Sequence, residues 1–206
     1  MTADIDIDTN TDSAAPPSEH RHVGAYVEML ISSLIGLVAS LILSIEAITL
    51  ATNPAAVLSC DISSKISCGV VAQTWQAQLF GWPNSFLGLI AEPVVITVAV
   101  AALGGVRFPR WFMLTAQAIY TLGFLFAWWL FYQSYFVIGA LCPWCLLITI
   151  TTTLVFMSMS RVNILDGNFG AGITRALTPA LSWWVDVWVS VLIIAALAAA
   201  VIFRYL

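Results

Sequence analysis

Four cysteines carry the redox chemistry this sequence can do. Cys142-Pro143-Trp144-Cys145 sets two thiols three positions apart where a long apolar run begins, and Cys60 and Cys68 form a wider pair upstream. With Cys142 as a helix N-cap and Pro143 at the first helical position, the unpaired N–H groups of the first turn offer a positive end to a thiolate. The i, i+3 spacing brings the second sulfur onto the same face. Two such thiols exchange two electrons as dithiol and disulfide. A reactive pair beside a pair on a movable loop reads as a relay, whose electrons must finally leave the sulfurs for a non-protein acceptor. In a bilayer the natural acceptor is a lipid-soluble quinone. Three other fates compete: four zinc ligands, two static structural disulfides, or a lipoprotein cleavage box at Val57-Leu58-Ser59-Cys60. The first lacks the short spacing of a zinc knuckle, the second adds little to a bundle already held by packing, and the third lies too far beyond the first span.

The elements that must position these thiols follow from composition. Of 206 residues, 61% are hydrophobic and 9% charged, and the mean hydropathy is +0.96, whereas soluble domains carry about 25% charge. The class is an all-α integral membrane protein. Its five apolar runs cover about 24–50, 86–106, 111–138, 142–160 and 183–203, each long enough at about 1.5 Å per residue to cross roughly 30 Å of hydrocarbon. Together, 23–206 form one membrane domain. Residues 1–22 hold five acids and one arginine without apolar periodicity, so they account for the whole net charge of -4 and read as a disordered tail. No basic footprint for nucleic acid remains.

Arg21, Arg107, Arg110, Arg161 and Arg175 fall on one side of the spans, and Lys65 and Arg204 on the other. Short cytoplasmic segments retain positive charge. The expected orientation in the inner (plasma) membrane therefore has a cytoplasmic N-terminus, residues 51–85 outside, and every cysteine on the oxidising, extracytoplasmic side. Within that outer loop Val71, Trp75 and Leu79 recur at i, i+4 and i+8, which predicts a short amphipathic helix from Gly69 to Phe80, ended by Gly81-Trp82-Pro83 and lying over the span ends.

Acids inside spans are costly and face an interior or water. Glu92 is a candidate for moving protons to a quinone or for a structural hydrogen bond, while Glu46 and Asp186 read as packing or interface residues. Asp61 reads as a loop organiser. Trp111-Phe112, Trp128-Trp129 and Trp183-Trp184 read as interface belts, and His20 and His22 as solvated tail residues needing no metal.

The ordered set Cys60-Asp61, Cys68, Gly81-Trp82-Pro83-Asn84-Ser85-Phe86-Leu87-Gly88 and a C-x-x-C opening span four resembles the vitamin K epoxide reductase family, over about residues 24–160. In particular it is similar to bacterial members that oxidise extracytoplasmic disulfide-forming enzymes. The resemblance implies four helices around a quinone, menaquinone or ubiquinone. It also implies that Cys60 receives electrons from the partner, Cys68 passes them to Cys142, and Cys145 lies nearest the quinone. Asn84 would bond a quinone oxygen, although an Asn before an apolar helix is also an ordinary N-cap. The disulfide-bond protein B family runs similar chemistry with the two cysteine motifs in reverse order. Two departures stand out. Thr149 occupies the position of a tyrosine found in some members, and only Arg204-Tyr205-Leu206 follow span five, where relatives often carry a fused thioredoxin-like domain. The expected activity is a thiol:quinone oxidoreductase that reoxidises a separate thioredoxin-like protein. The alternative is a noncatalytic, disulfide-stapled or metal-binding membrane protein.

Overall fold

In hydrocarbon each backbone N–H and C=O must be bonded within its own segment, so apolar runs of this length become helices. The computed structural model describes residues 22–182 and 184–205. The acidic tail, with His20 and Arg21, lies outside the described residues, as do Trp183 and Leu206. The described residues contain seven α-helices: α1 Val23–Thr52, α2 Cys68–Ala72, α3 Ser85–Leu103, α4 Arg110–Tyr132, α5 Pro143–Leu165, α6 Ala171–Ser182 and α7 Val185–Tyr205. Five of them, with α4 extended by a π-helical turn over Gln133–Ile138, are long and apolar enough to span.

Helix α1 is the bundle's central post and packs on both α3 and α5, while α5 also packs on α4. Its inward stripe is built of small residues, Ser33, Gly36, Ser40 and Ser44, with Met29. Ile31, Leu34, Val38, Leu41 and Ile45 stay exposed on the opposite face, as a lipid-facing surface requires. Small residues let two backbones approach closely where lipid supplies no hydrophobic drive for association. At the tightest point a Cβ built on Gly88 of α3 would collide with the Ser40 side chain. Gly88→Ala is therefore expected to cost about 1–3 kcal/mol through overpacking, read as a lower thermal midpoint. Adding Ser40→Gly should recover most of the loss, and an unchanged midpoint in the single variant would contradict this contact.

The end opposite the cysteines is closed by polar contacts. Gln117 Nε2 donates to Ser160 Oγ, Asn163 Nδ2 to Gln117 Oε1, Asn168 Nδ2 to Asn163 Oδ1 and Arg110 Nε to the Asn168 carbonyl. Arg161 Nη1 lies 2.6 Å from Asp186 and its guanidinium sits over the Trp184 ring, which ties α7 to α5. The interface reading of Asp186 thus becomes a specific ion pair. His22, expected in the solvated tail, instead lies with Nε2 3.1 Å from Asp166 Oδ1.

Two sequence expectations change. The outer-loop helix is not continuous from Gly69 to Phe80: α2 stops at Ala72 and a single 3₁₀ turn covers Trp75–Gln78. Thr74 breaks it, adopting an extended conformation while its hydroxyl bonds the Val71 carbonyl at 2.7 Å. Of the apolar stripe only Val71 is buried; Trp75 and Leu79 are exposed and Gln76 is buried instead. Helix α6, between spans four and five, was not expected from the sequence at all.

Candidate active site

The outer loop is organised by one carboxylate. Asp61 accepts from the Leu58 N–H at 2.8 Å, the Ser67 hydroxyl at 2.6 Å and the Gly69 N–H at 2.9 Å. Desolvation pushes the Asp61 carboxyl up, but these bonds from Ser67, Gly69 and Leu58, with one from the Cys68 N–H, outweigh it and hold the group below its ordinary range. A carboxylate lowered in this way contributes stability above the unfolded pKa of about 3.9, and the contribution is lost as pH falls through the lower folded value. Asp61→Asn, which removes the charge and two acceptor lone pairs, should speed hydrogen exchange at the Leu58 and Gly69 amides at neutral pH. Wild-type protein should show the same change only under acid conditions. Equal exchange in both proteins at neutral pH would remove Asp61 from this role.

The loop is then stitched to the segment before α5. The Leu141 N–H donates to the Lys65 carbonyl at 2.8 Å and the Ser67 N–H to the Leu141 carbonyl at 3.0 Å, a short parallel bridge centred on Ile66 and Leu141. Ser67 caps α2 through its hydroxyl, which accepts from the Val70 N–H, so Cys68 opens that helix one residue past the bridge. On the other side the π-helical turn ends at Gly139, whose left-handed φ of 74° suits glycine and redirects the chain towards Cys142. Cys142 is the N-cap of α5, with Pro143 in its first turn, and its sulfur accepts from the Cys145 N–H at 3.2 Å.

These constraints bring the sulfurs together. Cys60 and Cys68 are joined as a disulfide, and Cys68 Sγ lies 3.2 Å from Cys142 Sγ. Cys142 and Cys145 are free thiols. All four pack with Leu50, Leu58, Val71 and Ala140. The loop pair, expected on a movable segment, is buried, with Cys60 5% and Cys68 0% exposed.

Glu46, assigned to packing from the sequence, reaches the disulfide. Its Oε1 accepts from the Ser59 hydroxyl at 2.6 Å, and Oε2 and Oε1 lie 3.4 and 3.7 Å from Cys60 Sγ. The signal available in the sequence was an acid inside a span, which must face an interior. What the sequence did not supply was the loop folding back over the end of α1. The carboxylate and the two sulfurs fall within 4.8 Å of one another, but a disulfide sulfur is not the thiolate that a metal needs.

Below the sulfurs lies a cavity of about 1010 Å³ whose walls include Cys142, Cys145, Asn84, Glu92 and Tyr120. That size accommodates a ring-shaped head and part of a lipid tail. Asn84 stands at the N-cap position of α3 without a side-chain cap bond; its Nδ2 donates to the Gln76 carbonyl at 2.6 Å. A carbonyl only accepts, so this bond fixes the amide orientation and leaves one N–H and Oδ1 available. Asn84 Oδ1 and Glu92 Oε2 are buried with no hydrogen-bond partner among the described residues. Tyr120 donates to Glu92 Oε1 at 3.3 Å, and Gly36 gives this carboxyl room, since a Cβ there would lie 3.2 Å from Oε1. The free Asn84 N–H can donate to a ligand oxygen, and the unpaired oxygens suit a ligand hydroxyl, in a chamber that is otherwise apolar. Thr149 offers less, because its hydroxyl bonds the Cys145 carbonyl at 3.0 Å.

Residues 27–160 match the model of the Vitamin K epoxide reductase family. The chain belongs to that family. Comparison with curated proteins finds no match. Members of the vitamin K epoxide reductase family are membrane thiol oxidoreductases linked to quinones, so membership states the coarse chemistry of this multi-pass membrane protein. The matched region contains every cysteine, most of α1, all of α2 to α4 and most of α5, while α6 and α7 lie beyond it.

Proposed function

We propose that the chain is a thiol:quinone oxidoreductase that reoxidises a separate extracytoplasmic thioredoxin-like protein and passes the electrons to menaquinone or ubiquinone in the inner (plasma) membrane. The single observation that carries this reading is the 3.2 Å approach of Cys68 Sγ to Cys142 Sγ. At that distance one sulfur can attack the other without rearrangement, so the two pairs form one conduction path.

A partner thiolate attacks Cys60 and releases Cys68 as a thiolate; the partner's second thiolate then attacks the partner's own first sulfur, breaks the mixed disulfide and frees Cys60 as a thiol while the partner leaves as a disulfide. Cys68 attacks Cys142 in a Cys142–Cys145 disulfide and frees Cys145 at the cavity wall. Cys60 then displaces Cys142 from Cys68, and Cys142 and Cys145 close again as a disulfide while their two electrons pass to the substrate quinone. Asn84 orients it through its available N–H, and Glu92, with Tyr120, delivers a proton to the nascent hydroxyl. Because Cys60 is buried, the loop must lift from Leu141 to admit the partner. The positive-inside bias of Arg107, Arg110, Arg161 and Arg175 supports a cytoplasmic side for these arginines and an outer side for the sulfurs.

The test is thiol-dependent loss of quinone absorbance by the purified chain. A noncatalytic scaffold or metal carrier gives no such change. Glu92→Gln is expected to slow quinone reduction about 10²-fold, the lower range for a lost general acid, with exchange between partner and loop unaffected. Unchanged turnover would dispose of Glu92 as a proton donor.

A further inference from the structure

We propose that Glu46 is the acid–base residue of Cys60 in the step that returns the disulfide to the outer loop. The inference rests on the relay reading above and adds to it the group that moves a proton at its outer sulfur. Cys60 is bonded to Cys68, and Cys142 Sγ lies 3.2 Å from Cys68 Sγ. This is the product side of an exchange in which Cys60 has displaced Cys142 from Cys68. Before that exchange Cys60 is a thiol, which is a poor nucleophile until it is deprotonated.

Cys60 is buried in an apolar cluster, so its proton needs an acceptor close at hand. The nearest is Glu46. Ser59 occupies Oε1, while Oε2, the closer oxygen at 3.4 Å, faces Cys60 Sγ. A disulfide sulfur has no hydrogen to donate, so this oxygen is aimed at an S–H that exists only once the loop disulfide is open. Among the described residues neither ion pair involves Glu46, leaving the carboxylate without a cation that would hold it for structural reasons.

The step balances with the groups present. Glu46 carboxylate takes the proton of Cys60; the Cys60 thiolate attacks Cys68 Sγ; the Cys60–Cys68 bond forms as the Cys68–Cys142 bond breaks; and Cys142 leaves as a thiolate. Cys60 is oxidised and Cys142 reduced. Glu46 keeps the proton and returns it to Cys60 when the partner next opens the loop pair.

The experiment mixes the oxidised full-length chain with a reduced thioredoxin-like protein, quenches in acid at intervals, alkylates free thiols and maps disulfides by mass. Glu46→Gln still accepts from Ser59 but cannot take a proton. It is expected to accumulate the Cys68–Cys142 disulfide with Cys60 alkylated, its decay slowed about 10²-fold, while the partner's first attack on the Cys60–Cys68 disulfide, which expels Cys68 and needs no proton on Cys60, keeps the parental rate. Ser59→Ala, which keeps the carboxylate, should pass through at close to the parental rate. Should Glu46→Gln fail to fold, Glu46→Asp is read instead, with a smaller slowing expected from its withdrawn oxygens. Decay at the parental rate in the folded variant, or equal slowing in Ser59→Ala, overturns the proposal and leaves the relay standing. Absence of any Cys68–Cys142 species, in these chains and in Cys145→Ala alike, overturns the relay and this step with it.

Discussion

Cys145→Ala is expected to abolish quinone reduction, by at least about 10³-fold as is usual when a reacting group is lost, and to collect the chain as a Cys68–Cys142 disulfide. Among the described residues Cys142 contacts the loop pair directly, its sulfur 3.2 Å from Cys68 Sγ. Cys145, next to the cavity and partly buried, is a wall of the chamber beneath. Without Cys145 the inner pair cannot close. The one remaining disulfide is then shared among Cys60, Cys68 and Cys142, and the interloop species becomes populated. Nonreducing electrophoresis should show a mobility shift that Cys68→Ala or Cys142→Ala removes. A chain that still turns over quinone, or that shows no interloop disulfide, would reverse the order of the two inner cysteines.

Cys60→Ala should separate large thiol donors from small ones. Oxidation of a protein dithiol is expected to fall at least about a hundredfold, because the loop pair is the only disulfide that a folded partner can meet once the loop lifts from Leu141. Small dithiols enter the cavity and reduce Cys142–Cys145 directly, so their oxidation should continue near the parental rate. The burial of Cys60 sharpens this expectation: a folded donor reaches it only when the outer loop opens, and a small thiol that enters the cavity does not need that opening. Equal loss with both donors would mean that the loop pair serves every donor and that the cavity admits none.

The spans were legible because hydropathy and length leave the backbone little choice in lipid, and their ends moved by only a few residues: 86–106 became Ser85–Leu103 and 142–160 became Pro143–Leu165. The cap at Cys142 was legible too, since Pro143 carries a local instruction that needs no tertiary partner. The outer loop was not. Its helix was read from one apolar stripe, but Thr74 bonds its own backbone and Gln76 turns inward, choices made by the chamber below rather than by periodicity. Helix α6 escaped because a twelve-residue run is too short for a hydropathy reading. Glu46 was undervalued for the same reason as the Lys65–Leu141 stitch: both depend on a loop closing over a helix end, with partners 14 and 76 residues away in sequence. Asn84 lay between two readings, and its geometry adds an orientation fixed by the Gln76 carbonyl and an unpartnered oxygen at the cavity wall.

The most direct measurement is photolabelling of the purified chain with an azido-quinone, followed by peptide mapping with and without excess unmodified quinone. Label is expected on peptides that carry Asn84 to Glu92, Tyr120 and Cys145, and it should disappear under competition. Competed label confined to the lipid-facing surface of α7, with the chamber beneath Cys142 and Cys145 unmarked, would contradict delivery of electrons from these sulfurs to a quinone.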